Sequence, residues 1–147
     1  MADLNINGVK ITENNKDEIL AALNGAVEVA LTGIGIKAEK YAKARCPVGT
    51  PEKEHKKGYI GGTLRNSITF EVRDGELSLG SNVEYAPYVE LGTGPYFEPP
   101  PEWETFATKR GSGAGHGYVH ARPYLRPAIE DHLSVYGKII EDTLSNF

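Results

Sequence analysis

Residues 85 to 94 read Tyr-Ala-Pro-Tyr-Val-Glu-Leu-Gly-Thr-Gly. Aromatic and aliphatic anchors, one carboxylate and a two-glycine stop fall within ten positions, and the rest of the chain is arranged around them. Tyr85 and Val89 are four apart and Tyr88 and Leu91 three apart, so one helical turn places each pair on a common side. Pro87 suits a first turn, where its missing N–H is no loss. Gly92 and Gly94 allow positive φ, so the turn can stop and the chain reverse. The spacing predicts a packed corner, with a scaffold before it and a long loop and closing helix after it.

The scaffold begins with Leu4, Ile6, Val9 and Ile11 around Asn7-Gly8, the pattern of two short strands and a tight turn. Asn15 followed by Glu18 reads as a variant capping box. Leu20, Leu23, Val27, Ala30, Leu31, Ile34, Ala38, Tyr41 and Ala42 then recur at three-four spacing, predicting one buried stripe on a helix from about 15 to 45, ended by Pro47 and Gly49. Asp17 and Glu18 near its start and Lys40, Lys43 and Arg45 near its end suit the helix dipole. Gly25, Gly33 and Gly35 each cost about 1 kcal/mol relative to alanine, which implies a bend or a closely approaching neighbour. Further on, Leu64, Ile68, Phe70 and Val72 share one face of a predicted strand, and Asp74-Gly75 is a hairpin turn. That turn sets Val72 opposite Leu77 and Phe70 opposite Leu79, giving a hairpin with one apolar face for the long helix to cover.

Two polar, turn-rich stretches, 46–63 and 95–121, read as mobile loops. The second holds Tyr96, Phe97, Trp103, Phe106 and Tyr118. Aromatics are scarce in plain linkers, so these five are the expected interface residues of a loop that orders on a partner, the isolated chain being expected as a monomer. A final helix is predicted from about Pro127 to Asn146, with Ile129, Leu133, Tyr136, Ile140 and Leu144 as its stripe. The fold class is α+β: a small antiparallel sheet packed against a long N-terminal helix and a C-terminal helix, in one domain over 1–147.

Composition narrows the function. At 147 residues with 39% hydrophobic and 24% charged, the chain can bury about two thirds of its unfolded surface in one core. Its net charge of -4 supplies no general positive field for a phosphate backbone. Cys46 stands alone, which excludes an internal disulfide. No stretch reads as a membrane span of about 20 apolar residues, and the start lacks a signal-like segment.

The chemical motifs are weak. His116 and His120 are four apart but lie in a glycine-rich stretch without a third ligand type nearby, so no metal is expected. The glycines at 111, 113, 115 and 117 lack the Gly-Lys-Ser/Thr of a phosphate loop. Lys109 and Arg110 read as solvated surface rather than DNA contacts. Glu90 with Glu98 or Glu102 would make a hydrolase carboxylate pair only across a defined cleft. Glu90 reads more simply as an acceptor for backbone N–H groups at the glycine turn or for Arg122 or Arg126. No catalytic residue and no cofactor is expected.

Tyr85-Ala86-x-Tyr88-Val89-Glu90-Leu91-Gly92-Thr93, followed by Arg122-Pro123-Tyr124-Leu125-Arg126-Pro127-Ala128, resembles the paired signature of the tail-completion, or head-tail joining, proteins of long-tailed double-stranded-DNA phages, the gene-product-ten-like family of lambda-type phages. Pro47 and Gly62-Thr63-Leu64-Arg65-x-Ser67-Ile68 are similar to a third element of that family, although its Thr-Gly order is not kept. The resemblance implies an α+β fold and a structural virion protein that is not an enzyme. It further implies a ring at the neck-tail junction, with a hexamer the family-based expectation, bound to neck and to tail-tube or tail-terminator proteins. The lumen of such a ring would touch DNA passively; no membrane is implied, and the host cytoplasm is the place of assembly. The alternative is a small tail-associated hydrolase or other phage-encoded enzyme.

Overall fold

The long helix α1 (Lys16–Arg45) carries the architecture. In the computed structural model, residues 4–6, 9–11, 15–49, 61–93 and 120–146 are described, and they form an α+β arrangement. Asp17 and Glu18 occupy the first turn of α1 and Lys43 and Arg45 the last, as the helix dipole favours. Asn15 holds the N-cap position, but its side chain makes no capping bond. Its carbonyl accepts the Ile19 N–H at 3.0 Å as the first intrahelical bond, but without the side-chain bond the expected capping box is not formed. Cys46, with extended backbone, ends the helix just before Pro47.

Strands β1 (Leu4–Ile6) and β2 (Val9–Ile11) pair antiparallel, Leu4 opposite Ile11 and Ile6 opposite Val9. The clearer hairpin is β3 (Thr69–Arg73) with β4 (Glu76–Gly80). Its register sets Phe70 opposite Leu79 and Val72 opposite Leu77, as the two-residue turn requires. Asp74 and Gly75 both have positive φ, 53° and 76°, the signature of a type I′ turn whose twist matches the strands. Phe70, Val72, Leu77 and Leu79 are half-buried while Thr69, Glu71, Arg73, Glu76 and Ser78 are exposed.

Gly35 is where this sheet meets α1. A Cβ there would fall inside the Phe70 ring, against Cδ2, Cε2 and Cγ. The glycine therefore exists in mid-helix because an aromatic ring lies directly on the helix backbone. Leu64 and Ile68 do not belong to the strand, contrary to the alternation read from sequence. Thr63–Ser67 is a short helix, α2, and the two residues, four apart, both turn into the core at 5% and 1% exposure. Asn66, which breaks the alternation, is the local sign of that change of period.

After the hairpin come α3 (Ala86–Leu91), then α4 (Arg126–Glu130) and α5 (Leu133–Ser145). The expected single closing helix is thus broken at Asp131-His132, and the break rotates the buried face. Tyr136 is buried, and His132, Val135, Ile139 and Thr143 are half-buried, whereas Leu133, Ile140 and Leu144 are 64%, 41% and 42% exposed. Helix α5 runs antiparallel to α1. His132 stacks on Tyr41 with ring centroids 3.6 Å apart, and a Cβ at Gly33 would sit 3.2 Å from Ile139 Cγ2.

Two core clusters result. One joins Ala42, Cys46, Leu64, Ile68, Ala86, Tyr124 and Ala128; the other joins Ile34, Ala38 and Tyr136, with Leu77, Leu79, Ile129 and Ile139 against them. Every buried residue of α1 lies at Ala30 or beyond. The first half of the predicted stripe is therefore bare: Leu20, Leu23 and Val27 are 45%, 39% and 37% exposed.

The expectation that no stretch suits a membrane also needs correction. An 18-residue window of α1 has a mean hydropathy of 1.8 and is long and apolar enough to cross one by length and composition. The apolar character extends beyond the stripe, because Ile19, Val29 and Ile36 lie off it and Glu28 is the one charged residue between Ile19 and Ile36.

Candidate functional site

Helix α3 forms the corner by local bonds alone. The Tyr85 carbonyl accepts the N–H groups of Tyr88 and Val89 at 3.1 and 3.3 Å, and the Tyr88 carbonyl accepts that of Gly92 at 3.0 Å. Pro87 lies in the first turn, where no donor is needed. Gly92 leaves the helix at φ 76°, a conformation that glycine alone adopts without a Cβ penalty.

The turn aims Glu90 at the second signature segment. Oε2 of Glu90 accepts the N–H groups of Tyr124 at 2.7 Å and Leu125 at 3.0 Å, and Oε1 accepts that of Arg126 at 3.0 Å. These are donors at the start of α4, which has no side-chain cap of its own. A carboxylate more than thirty residues away thus serves as the cap, with charge-assisted bonds. A fourth bond, from the Arg122 N–H to the Val89 carbonyl at 2.8 Å, closes the clasp.

The two signature segments therefore meet, but not as expected in detail. Glu90 neither pairs with the Arg122 or Arg126 side chain nor caps the glycine turn. Arg126 instead lies 3.9 Å from Glu130, an exposed pair of little energetic weight. Main-chain N–H groups leave no trace in a sequence, whereas Arg122 and Arg126 do.

Tyr124 fills the space behind the clasp. It is 0% exposed, and its hydroxyl has no hydrogen-bond partner among the described residues. Burial pushes its ionisation above the ordinary tyrosine range, and the nearby Cys46 and Glu90 push the same way. Burial likewise raises the Cys46 thiol, against the pull of Arg65 and Arg122. Of the other signature residues, Tyr85 is 45% exposed, Arg122 and Arg126 are exposed, and Tyr88, Pro123 and Pro127 are half-buried.

Beside the clasp lies a groove of about 470 Å³ lined mainly by Leu79, Ala86, Pro87, Leu91, Leu125 and Ile129, with Glu90, Arg126 and Glu130 as its charged members. Both oxygens of Glu90 are engaged by the main chain, so in this arrangement the carboxylate holds structure rather than offering a free base. Among the described residues no group of three or more His, Cys, Asp or Glu is placed to hold a metal. His120 is exposed.

Gly94, Tyr96, Phe97, Glu98, Glu102, Trp103, Phe106, Lys109, Arg110, the glycines from 111 to 117, His116 and Tyr118 lie outside the described residues, as does the stretch 50–60. What the sequence did not announce is the buried centre of the site. Tyr124 and Cys46 lie 78 positions apart and meet only through the fold.

Compared with known protein families, curated proteins and solved structures, the chain matches none of them.

Proposed function

We propose that the chain is a structural virion protein of a tailed double-stranded-DNA phage, which completes the tail or joins head to tail as a ring at the neck-tail junction. The observation that carries this reading is the clasp. The two segments that resemble the tail-completion signature are joined by the residues that define it, Glu90 from the first and the Tyr124–Arg126 backbone from the second. A cap supplied from so far along the chain explains why both segments would be needed together, independently of any catalytic chemistry.

In this reading the clasped corner is a rigid base, and the chain between Thr93 and His120 leaves and re-enters at it. Tyr96, Phe97, Trp103, Phe106 and Tyr118 fall in that stretch and are the contacts proposed for neck and tail proteins. The test is a phage carrying Trp103→Ala, scored for filled heads, free tails and joined particles, alongside imaging of the neck and tail of the parent virion with this chain tagged. Free heads and tails in the variant, with the tag at the junction, are expected. Normal joining with the tag absent from particles would overturn the proposal.

A further inference from the structure

The bare half of α1 continues the line of a buried core. Leu20, Leu23 and Val27 fall on the helical line of Ile34 and Ala38, which the β3–β4 hairpin and Tyr136 cover further along. The α5 helix, antiparallel to α1, extends this trough as a wall. Its Ile140 is one turn beyond Tyr136 and its Leu144 another. Thr143 and Asn146 of α5 line a shallow pocket with Ala22 and Ala26 of α1, so the wall runs back along the early turns of α1 to the last turn of α5. Among the described residues the trough is built like the core and lacks a third layer.

We infer that the missing layer is a second copy of this chain, packed on Leu20, Leu23, Val27, Ile140 and Leu144. These residues are 37% to 45% exposed, and Ile19 at the open end is 58% exposed. Together they present on the order of 450 Å² of apolar side chain, which is the apolar share of a stable interface that buries about 800 Å² on each partner. No charged residue falls on the line from Leu20 through Val27; Glu28, the one charge between Ile19 and Ile36, lies about 100° from Val27 around the helix. Such depletion of charge marks the centre of an interface. A two-fold axis across the trough would let α1 of each copy fill the other, the self-complementary contact of a dimer.

A membrane is the rival occupant, and the local chemistry disfavours it. Crossing would strip α1 from the hairpin that covers Ile34, Gly35 and Ala38, and would place Glu28 at mid-depth. Lying on a surface calls for Lys and Arg along the polar side of the helix, and the bare half of α1, residues 16–29, carries Asp17, Glu18 and Glu28 against Lys16. This inference replaces the expectation of a monomer and does not rest on the proposed phage role.

The experiment is sedimentation velocity on the purified full chain from about 1 to 100 μM, a span that resolves micromolar association. A dimer or larger species is expected. Leu23→Glu with Val27→Glu should raise its dissociation constant at least about tenfold while helix content is kept and the melting temperature no longer rises with concentration. As a second variant, Leu23→Cys should give an interchain disulfide under mild oxidation, while buried Cys46 stays unlinked. A monomer at every concentration, an oligomer indifferent to the two glutamates, or no interchain disulfide from Leu23→Cys would overturn the inference. So would a monomer that floats with vesicles of phosphatidylcholine and phosphatidylserine, which would give the trough to lipid.

Discussion

Glu90 shows at the residue scale what could and could not be read in advance. Its lack of a local partner pointed to a long-range acceptor role, but the donors are three backbone N–H groups that no side chain advertises. Glu90→Ala removes all three bonds; the site is half-exposed, so water repairs part of the loss. We expect a cost of about 2 to 3 kcal/mol in urea unfolding, the range for bonds to a charged group. Glu90→Gln, which keeps one acceptor oxygen, should fall between. Tyr124 gives a pH test. Tyrosine ionises near 10.0 and the cysteine thiol near 9.0 when unperturbed, and both are raised in the fold. The folded chain therefore holds these protons after the unfolded chain has released them. Their contribution is complete below about pH 9 and is lost as pH climbs from there, first through Cys46 and then more steeply above 10 through Tyr124. Buried Tyr136, which donates to the Ala128 carbonyl and is also raised, adds with the same sign. Tyr124→Phe should flatten the alkaline arm of a stability profile. It should also gain up to about 1 kcal/mol at pH 7, since it deletes a buried hydroxyl that has no partner among the described residues. A loss of that size instead would show that the hydroxyl is bonded.

Among the elements, the turn and register of the β3–β4 hairpin were legible, because a two-residue turn and one apolar face leave a single register, whereas the start of its first strand was not, since Leu64 and Ile68 lie in and just after a short helix. The glycines of α1 were legible only as a warning. Gly35 lies under Phe70, whereas a Cβ at Gly25 would meet nothing within 4 Å. Gly35→Ala is therefore expected to cost about 1 to 3 kcal/mol by overpacking, and Gly25→Ala to gain up to about 1 kcal/mol from helix propensity. The decisive measurement is a double-mutant cycle. In a Phe70→Ala background, Gly35→Ala should lose most of its penalty, because the ring that it strikes is gone. Equal penalties in both backgrounds would place the strain elsewhere. The break between α4 and α5 was not legible, since neither glycine nor proline marks Asp131-His132. Two tertiary contacts lie at the break: Arg45 bonds Asp131 at 2.6 Å, and His132 stacks on Tyr41. Across the break the phase of α5 shifts so that Ile139, not Ile140, meets α1.

For the whole molecule, the clasp divides the chain into a closed scaffold and the stretch from 94 to 119. Val89 and Arg122 are bonded directly, so the stretch begins and ends within a few residues of a fixed pair, and the scaffold does not need its length to bring those ends together. Replacing residues 95 to 119 by about six Gly and Ser residues shortens this connection by about two doublings. That should stabilise the scaffold by about 1 kcal/mol through a cheaper loop closure. The shortened chain is expected to keep its melting temperature within a few degrees or raise it, to keep its helix content, and to keep the association assigned to the α1 trough. It should fail to join heads to tails, because the five aromatic contacts proposed for neck and tail proteins are gone. If the shortened chain instead unfolds at room temperature, those aromatics belong to the core, and the division of labour between corner and loop is wrong. If it folds and still joins heads to tails, the contacts must come from the scaffold surface, and the groove beside Glu90 becomes the first place to mutate.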